Sequence, residues 1–517
     1  MTDSNHNIVI IGGGHNGLVC AAWLAKAGHA VTVLEAADQV GGAAVTREFA
    51  PGFRVSACAH LLYLLDAGVN RELALSSHGL KMAASGLDTI ALNAQGQHLK
   101  IAGDRVSGAG VSEADQKAMA EYHRFMKRFS GIIGRLHNRI PPRMGTTDRG
   151  DLFSLARTGL DIRRMGRTDM REFLRIAGIN IYDILQENFD NEALKGALSL
   201  DGVLGTFLGT RSNNSVFCAL HRLSGGGQYD LPAGGMGAVS DALAAAARKH
   251  GVDIRLGTPV RRITMEHDRV SGVELADGEI LSADTVVSNA DPKTTFRDLL
   301  GFRHLEADFA HRVHHLRARG QAAKLHLALD GLPRFTGLDE AEAGQRLVIA
   351  PDMQYVEHAF NHAKYRELSP EPVAEITVPS VHDGSLAPAG KHVLSAIVQW
   401  APHDLKSGWS DSKDAFTEQV ITTLERYAPG LRGQILHTQL LSPADIESEF
   451  RISGGHWHHG ELALDQFLML RPVPGAAQYR APVDGLWLCG AGCHPGGGVM
   501  GSAGRNAAQA IIDASRG

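Results

Sequence analysis

Cysteine is scarce in this sequence: five of the 517 residues are cysteines, namely Cys20, Cys58, Cys218, Cys489 and Cys493. None belongs to a C-x-x-C pair, and an odd number argues against a disulfide scaffold. We therefore expect free thiols and a reducing compartment. Cys489 and Cys493 lie four residues apart, and we interpret them as two small buried thiols rather than a redox pair.

An excess of charge of one sign and long apolar runs are also missing. The formal net charge is -5, which gives no reason to expect nucleic acid as a partner. No stretch approaches eighteen uninterrupted apolar residues, so a membrane-spanning helix is excluded. The first apolar run begins at Ile8, with no cationic or cleavable segment before it. We therefore expect no signal or transit peptide and a cytoplasmic location.

Glycine, by contrast, is abundant, and many of its 59 residues lie in clusters. The stretch "IVIIGGGHNGLVCAAWLAKAGHAVTVLEA" predicts a strand over residues 8–11, a turn over 12–17, a helix over 18–27 and a parallel strand over 30–34. This order is a βαβ unit, and its turn reads Gly12-x-Gly14-x-x-Gly17.

The βαβ turn has the residues that a dinucleotide site needs. Gly12 permits the tight turn, Gly14 lets a pyrophosphate approach the backbone, and Gly17 lets helix and strand pack closely. The amino end of the helix supplies donors to the phosphates. Glu35 follows the third glycine by 18 residues, at the end of the second strand, where an acid accepts a ribose hydroxyl. The unit therefore predicts a bound dinucleotide.

The far end of the chain repeats the same order of strand, glycines and helix. Leu486 to Ala514 reads "LWLCGAGCHPGGGVMGSAGRNAAQAIIDA". One glycine loop can hold one phosphate group, so two loops suggest that one long ligand is held at two places.

Several further stretches carry a resemblance to a known family. They are "VGGAAVTREFAPGFRVS", "LPAGGMGAVSDAL", "GGHWHHGELALDQ" and "GLWLCGAGCHPGGGVMGSAGRNAA". Together with the opening loop they resemble FAD enzymes of the amine oxidase and phytoene desaturase superfamily. The nearest likeness is to the group called pyridine nucleotide-disulfide oxidoreductase domain-containing protein 2. Many relatives carry arginines where this chain has Ala37, Gln39 and Ala43, so pyrophosphate contacts here would come from the backbone.

The resemblance implies an α/β fold in which a Rossmann-like FAD-binding domain is interrupted by an α+β substrate domain. Residues 1–75, 225–300 and 470–517 would form the FAD-binding domain. Residues 76–224 and 301–469 would form the substrate and helical domain. Within the first domain, the apolar stretch "TVVSNA" predicts a buried strand that returns to the first sheet.

The same resemblance, with the glycine motifs, predicts which residues bind FAD. Backbone donors near Val499 and Met500 would face the pyrimidine edge of the flavin. The complete set is Gly12, Gly14, His15, Asn16, Gly17, Glu35, Ala36, Gly41, Gly42, Ala43, Thr46, Val260, Gly490, Gly498, Val499 and Met500.

Three histidines are the candidates for the catalytic site. His459 and His494 lie in glycine-rich stretches that resemble flavin-proximal segments of the family, and His60 lies in "FRVSACAHLL". An extended "GGHWHHG" would place His456 and His458 on one face and His459 on the other. No carboxylate or cysteine cluster accompanies them, so we predict no metal.

The predicted reaction is hydride transfer between an apolar substrate, such as a polyene or a lipid, and flavin N5. A second G-x-G-x-x-G unit for a nicotinamide cofactor is missing, so electrons would leave to oxygen, a quinone or a protein. Two alternatives stay open. One is flavin-assisted isomerisation or ketolation of a carotenoid-like substrate, and the other is a non-catalytic escort protein resembling the GDP-dissociation inhibitors.

The region from about Glu113 to Ile176 has a helical pattern rich in arginine. Residues 121–175 contain 13 Lys and Arg against 6 Asp and Glu. This excess is typical of a solvated helical face, and it also suits contact with anionic lipid headgroups. Peripheral membrane contact is therefore an open expectation.

Overall fold

The structure is a computed structural model that describes residues 7–143, 145 and 147–516, and of residues 154, 158, 161 and 177 the backbone alone. The α-helices in this part of the chain are α1 His15–Lys26, α2 Ala67–Glu72, α3 Glu113–His137, α4 Arg149–Arg163, α5 Arg167–Ala177, α6 Ile181–Asn188, α7 Glu192–Val203, α8 Ser215–Leu223, α9 Gly237–Lys249, α10 Ala307–His314, α11 Met353–Lys364, α12 Trp409–Glu425, α13 Leu431–Gln434, α14 Pro443–Phe450 and α15 Ser502–Arg516.

The strands over the same residues form two large and three small sheets. They are β1 Asn7–Ile11, β2 Ala30–Leu34, β3 Thr46–Ala50, β4 Phe53–Ser56, β5 Met82–Ala84, β6 Thr89–Ala91, β7 Leu99–Ala102, β8 Arg105–Gly108, β9 Leu231–Pro232, β10 Asp253–Arg255, β11 Val260–Glu266, β12 Arg269–Leu275, β13 Ile280–Ser282, β14 Thr285–Ser288, β15 Ala322–Leu329, β16 Arg346–Ile349, β17 Val373–Thr377, β18 His392–Gln399, β19 Ile435–Leu441 and β20 Leu486–Leu488.

A five-stranded parallel sheet has the order β10-β2-β1-β14-β20. β1 is central, and its apolar residues are buried because helices cover both faces of a parallel sheet. β14 contains the predicted returning strand and pairs with β1. The helix α1 begins at His15, three residues before the predicted start, so Gly17 lies within its first turn. The predicted α/β class is confirmed.

The two glycine loops meet because β20 joins this sheet beside β14. Their helices, α1 and α15, pack against each other with little space between them. A Cβ added to Gly504 would lie 2.1 Å from the carbonyl oxygen of Asn16. Small residues at this contact therefore bring both helix starts to one edge of the sheet.

An eight-stranded sheet has the order β19-β15-β18-β17-β16-β6-β7-β8 and is antiparallel except between β16 and β6. All eight residues of β15 are buried, and in β18 only His392 is partly exposed. The helical pattern predicted from about Glu113 to Ile176 is present as α3, α4 and α5. Residues 144 and 146 of the predicted basic region lie outside the described residues.

Each of the two large sheets takes its strands from the segments of only one of the two predicted domains. The parallel sheet draws on residues 1–75, 225–300 and 470–517, and the eight-stranded sheet draws on 76–224 and 301–469. The domain limits themselves stay a prediction. Within the described residues, none of the helices is both long and apolar enough to cross a bilayer.

Candidate functional site

A cleft, whose space together with the solvent at its mouth measures about 940 Å³, lies at the carboxyl edge of the parallel sheet, where the turn after β1 meets the end of β2. We call it the nucleotide cavity. Most of the residues predicted to bind a dinucleotide line it: Gly12, Gly14, His15, Asn16, Glu35, Ala36, Gly41, Gly42, Ala43 and Val260. His459, predicted as a catalytic residue, lines it as well.

The glycines of the opening turn are there for geometric reasons. Gly12 has a φ of +95°, which residues with a Cβ rarely adopt. A Cβ on Gly17 would lie 2.2 Å from the Gly12 carbonyl oxygen, so only glycine lets α1 pack this closely on the turn. The Gly41 N–H donates to the Gly13 carbonyl at 2.9 Å, which joins the second glycine loop to the first.

Glu35 is held in place by the backbone on both of its carboxylate oxygens. Oε2 accepts from the Gly13 N–H at 2.7 Å, and Oε1 accepts from the Ala37 N–H at 2.9 Å. Each carboxylate oxygen has a second acceptor position. The carboxylate is therefore oriented before any ligand arrives, and its predicted role as the ribose acceptor stays a prediction.

Three polar atoms at the nucleotide cavity are buried and have no hydrogen-bond partner among the described residues: His15 Nε2, Asn16 Oδ1 and His459 Nδ1. Burial lowers the pKa of His15 to about 4, and burial also lowers the pKa of His459. Both imidazoles are therefore neutral near pH 7 and able to donate or accept. Unpartnered buried polar atoms are rare in folded proteins, so these atoms point to a polar ligand in the cavity.

The segment "GGHWHHG" is a tight turn and not extended, since Gly454, Gly455 and His459 have positive φ. The His459 N–H donates to the His456 carbonyl at 2.7 Å and closes the turn. The rings of His456 and His458 still lie near each other, 5.8 Å between centroids. The prediction that His459 lies on the opposite face from His456 and His458 assumed an extended segment. That assumption was wrong, because the backbone turns here.

A second cavity, of about 600 Å³, adjoins the first and lies towards the eight-stranded sheet. The two share His15, Ala43 and Trp457 as lining residues, so the nucleotide cavity and this second cavity are neighbours along one wall. The predicted residues His60, Gly498 and Val499 line the second cavity. Val499 has a φ of +56°, so the closing glycine loop bends at this point.

Behind the second cavity lies a buried charge network that sequence reasoning missed. Glu375 Oε1 lies 3.1 Å from His60 Nε2, and Oε2 accepts from Arg222 and, at 2.6 Å, from Arg346 Nε. Both arginines also pair with Asp201. Burial alone would raise the pKa of Glu375, but Arg222 and Arg346 hold it well below its usual range.

Lys324 is a second group that the sequence reasoning missed. It is 2% exposed on β15, and its Nζ has no hydrogen-bond partner among the described residues. Burial lowers its pKa to about 7, and its neighbours Cys58, a neutral thiol, and Glu375, a carboxylate, line the second cavity. A signal was available: Lys324 and Glu375 each interrupt apolar residues within a strand, and Arg346 begins an apolar strand, where a buried charge is rare.

Five predicted residues line neither cavity: Gly17, which packs on the opening turn, and four others. His494 is fully buried, and its Nε2 lies 2.8 Å from the Leu136 carbonyl. Thr46 accepts from the Gly237 N–H through its hydroxyl, and the Met500 carbonyl accepts from the Asp66 N–H. Gly490 packs on β14, where a Cβ would lie 2.5 Å from the Asn289 carbonyl oxygen. The structure gives these residues packing contacts, and their predicted roles stay predictions.

The five cysteines are all buried and free. Burial raises the pKa of the Cys493 thiol to about 12 and that of Cys489 above its ordinary value. Such thiols are not activated nucleophiles. Among the described residues, no group of three or more His, Cys, Asp or Glu is arranged to hold a metal ion.

Known proteins resemble this chain in sequence and in fold. A family model described as "Flavin containing amine oxidoreductase" matches residues 17–512. The chain is 34% identical to pyridine nucleotide-disulfide oxidoreductase domain-containing protein 2 of Mus musculus, covering 98% of this chain and 93% of that protein. It is 26% identical to a limonene dehydrogenase polypeptide of Castellaniella defragrans, covering 98% and 94%. An oxidoreductase from Methanosarcina mazei has a similar fold, with a TM-score of 0.60 at 18% identity, covering 98% of this chain and 100% of that chain.

Proposed function

The chain belongs to the flavin-containing amine oxidoreductase family and is an FAD-dependent oxidoreductase, and on this premise we propose that it transfers a hydride between an apolar, lipid-like substrate and N5 of the flavin. FAD, when bound, supplies the two-electron chemistry. The protein holds the cofactor, places the substrate and takes or gives the proton.

The residues of the nucleotide cavity fit FAD. Glu35 would hold the ribose, and the N–H groups at the start of α1 would hold the pyrophosphate. The unpartnered polar atoms of His15, Asn16 and His459 would gain partners. Val499, in the closing glycine loop, would meet the flavin end. The fit rests on the glycine geometry and on these buried polar atoms.

The lining of the second cavity carries the proposal of an apolar substrate. Most of the side chains around it are small, aliphatic or aromatic: Ala43, Ala44, Cys58, Ala59, Leu61, Tyr63, Ile397, Trp457 and Val499. Apolar walls favour ligands that gain by leaving water. The relative from Castellaniella defragrans is named for limonene, a hydrocarbon, which supports the same substrate class.

The charges near this cavity argue against a cationic amine as substrate. The carboxylate on the cavity wall, Glu375, already pairs with Arg222 and Arg346. Lys324 adds a further basic group beside it. An ammonium group entering the cavity would lose its water and find a carboxylate whose charge is already neutralised, which is unfavourable.

Two basic atoms beside the second cavity are available to hold a proton. His60 donates through Nε2 to the strongly ionised Glu375, which leaves Nδ1 as an acceptor, and Nδ1 has no partner among the described residues. Lys324 Nζ has a pKa of about 7 and is partly neutral at physiological pH. We propose that the proton released when the substrate is oxidised is taken up at Lys324 Nζ, directly or by way of His60 Nδ1, because burial lowers the pKa of His60 to about 4 and makes it the weaker base. Oxygen, a quinone or a protein would then take the electrons.

Anaerobic titration of the holo-protein tests the substrate class. The panel contains carotenoids, retinoids and acyl compounds, with primary amines of similar length as the matched control. Bleaching of the flavin by an apolar compound, and not by the amine, is the expected result. Bleaching by amines alone would overturn the proposal. Conversion of an apolar compound without net flavin reduction would favour the isomerase alternative.

A further inference from the structure

The helices α4 and α5 expose large apolar side chains to solvent. Leu152, Phe153, Leu160 and Leu174 are 48%, 69%, 44% and 63% exposed. They are four of the ten exposed large hydrophobic residues among those described, yet they fall within a span of 23 residues. Scattered exposed apolar residues need no explanation, but a cluster of this kind marks an interaction surface.

Arginines alternate with these apolar residues along a single helix face. On α4 the exposed strip runs Arg149, Phe153, Arg157, Leu160 and Arg164, the last being the residue that caps the helix. The spacing of four, four, three and four residues keeps them on one side of an α-helix. The outward side of α4 therefore carries apolar residues as well as arginines, while Ile162 on the other side packs against the core.

The neighbouring helix α5 continues the surface. Its exposed strip consists of Arg167, Arg171 and Leu174, again at helical spacing. Its opposite side is fixed to the protein interior, because Phe173 and Ile176 are buried and the Phe173 ring lies 5.6 Å from that of Phe129. The outward strip therefore sits on an anchored element. We call the outward strips of α4 and α5 the basic apolar surface.

The charge of this region is opposite to that of the rest of the chain. Residues 121–175 carry an excess of 7 positive charges, whereas the whole chain has a net charge of -5, so all other residues together carry -12. Only an anionic partner would gain electrostatic attraction from this local excess of positive charge. An apolar partner without charge would use the leucines and phenylalanine but not the arginines.

We propose that the basic apolar surface docks on anionic lipid bilayers. Phe153, Leu160 and Leu174 enter the boundary between headgroups and acyl chains, as the apolar face of an interfacial helix does. The arginines lie at the depth of the lipid phosphates and pair with them. Docking of this kind brings the protein to the phase in which apolar compounds dissolve, and it does not depend on which substrate is oxidised.

Vesicle flotation of the full-length holo-protein tests this proposal. We expect flotation with vesicles of phosphatidylcholine mixed with phosphatidylglycerol at low salt, and little with phosphatidylcholine alone. The double variant Phe153→Glu/Leu160→Glu should lower the partition coefficient by about tenfold or more. The matched control is Ile280→Glu, on β13 in the other part of the chain, where the side chain is 61% exposed. It should float like the unmodified protein.

A charge variant and a sedimentation measurement complete the test. Arg157→Gln/Arg164→Gln, which changes no apolar residue, should weaken binding to the anionic vesicles by about tenfold, since each arginine contributes separately. Absence of flotation at low salt, or equal binding to neutral vesicles, would overturn the proposal. Sedimentation is measured without vesicles. A dimer that Phe153→Glu/Leu160→Glu converts to a monomer would overturn the proposal and identify the basic apolar surface as a contact between copies of this chain.

Discussion

The two adjoining cavities are built from different parts of the polypeptide. The nucleotide cavity is formed largely by backbone at glycine turns, and its key distances are those between main-chain atoms of neighbouring segments. The second cavity is formed by side chains, and buried ion pairs and neutral imidazoles support it from behind. Substitution of side chains should therefore alter the second cavity more readily than the nucleotide cavity.

Acidification should have the largest effect, and it should act on the side-chain cavity and its surroundings. Burial lowers the pKa of His15, His60, His221, His456 and His494 from 6.5 to about 4. The unfolded chain therefore binds more protons below pH 6.5 than the folded one, and stability falls as pH drops from about 6.5 towards 4. Each histidine costs about 1.4 kcal/mol near pH 5.5.

Denaturant titrations at a series of pH values check this expectation. The free energy of unfolding should fall steeply between about pH 6.5 and 5. His221→Phe, which removes one buried imidazole, should make the fall shallower. A stability that is flat down to about pH 5 would mean that these imidazoles are solvated or paired in the folded protein.

Removal of one carboxylate from the charge network should have the next largest effect. Glu375→Gln leaves Arg222 and Arg346 buried with one carboxylate, Asp201, between them. We expect the free energy of unfolding to fall by about 3–5 kcal/mol. The control is Glu449→Gln, which breaks the half-exposed pair with Arg47 and should cost at most about 1 kcal/mol. Thermal and denaturant unfolding measure both, and equal losses would refute the account of the network.

A methyl group placed behind the opening glycine turn tests whether close backbone packing shapes the nucleotide cavity. In Gly17→Ala the new Cβ would meet the Gly12 carbonyl oxygen, so the turn must shift. We expect a loss of about 1–3 kcal/mol and a weaker hold on FAD. In Gly131→Ala, on α3, the Cβ meets no heavy atom within 4 Å, and stability should rise by about 1 kcal/mol. FAD content and melting temperature are read together, and an unchanged FAD affinity in Gly17→Ala would contradict the packing argument.

An effect of similar size, on FAD binding and not on stability, is expected from a polar substitution in the nucleotide cavity. Glu35→Gln removes one acceptor oxygen, and we expect FAD binding to weaken by about 1–3 kcal/mol. Because Glu35 also accepts from Gly13 and Ala37, the stability of the apo-protein is measured in parallel. The exposed Asp38→Asn serves as control. An affinity loss fully matched by a loss of apo stability would show that Glu35 supports the loop and does not bind the ribose.

The difference between the two cavities explains which parts of the site the sequence could predict. The glycine spacing, Glu35 and the returning strand could be predicted because a site built from backbone requires a short local sequence pattern. The structure brings most of the predicted binding residues to one cavity. The second cavity combines residues from His15 to Val499, which no local pattern connects. His494 illustrates the limit: a family-like motif located it in the sequence, but its ring lies against α3 and lines neither cavity.

The assignment of FAD to the nucleotide cavity and of the substrate to the second cavity is tested most directly by filling the second cavity with a larger side chain. Ala59 lines the second cavity and not the nucleotide cavity, so Ala59→Phe should occupy substrate space without touching the glycine loops. The measurement is flavin content per protein, followed by anaerobic reduction with the apolar compound that bleaches the unmodified holo-protein and, separately, with dithionite. We predict full FAD content, normal reduction by dithionite and at least about tenfold slower reduction by the apolar compound, a barrier change of about 1.4 kcal/mol. Loss of FAD, or unchanged reduction by the apolar compound, would contradict the assignment of the second cavity to the substrate.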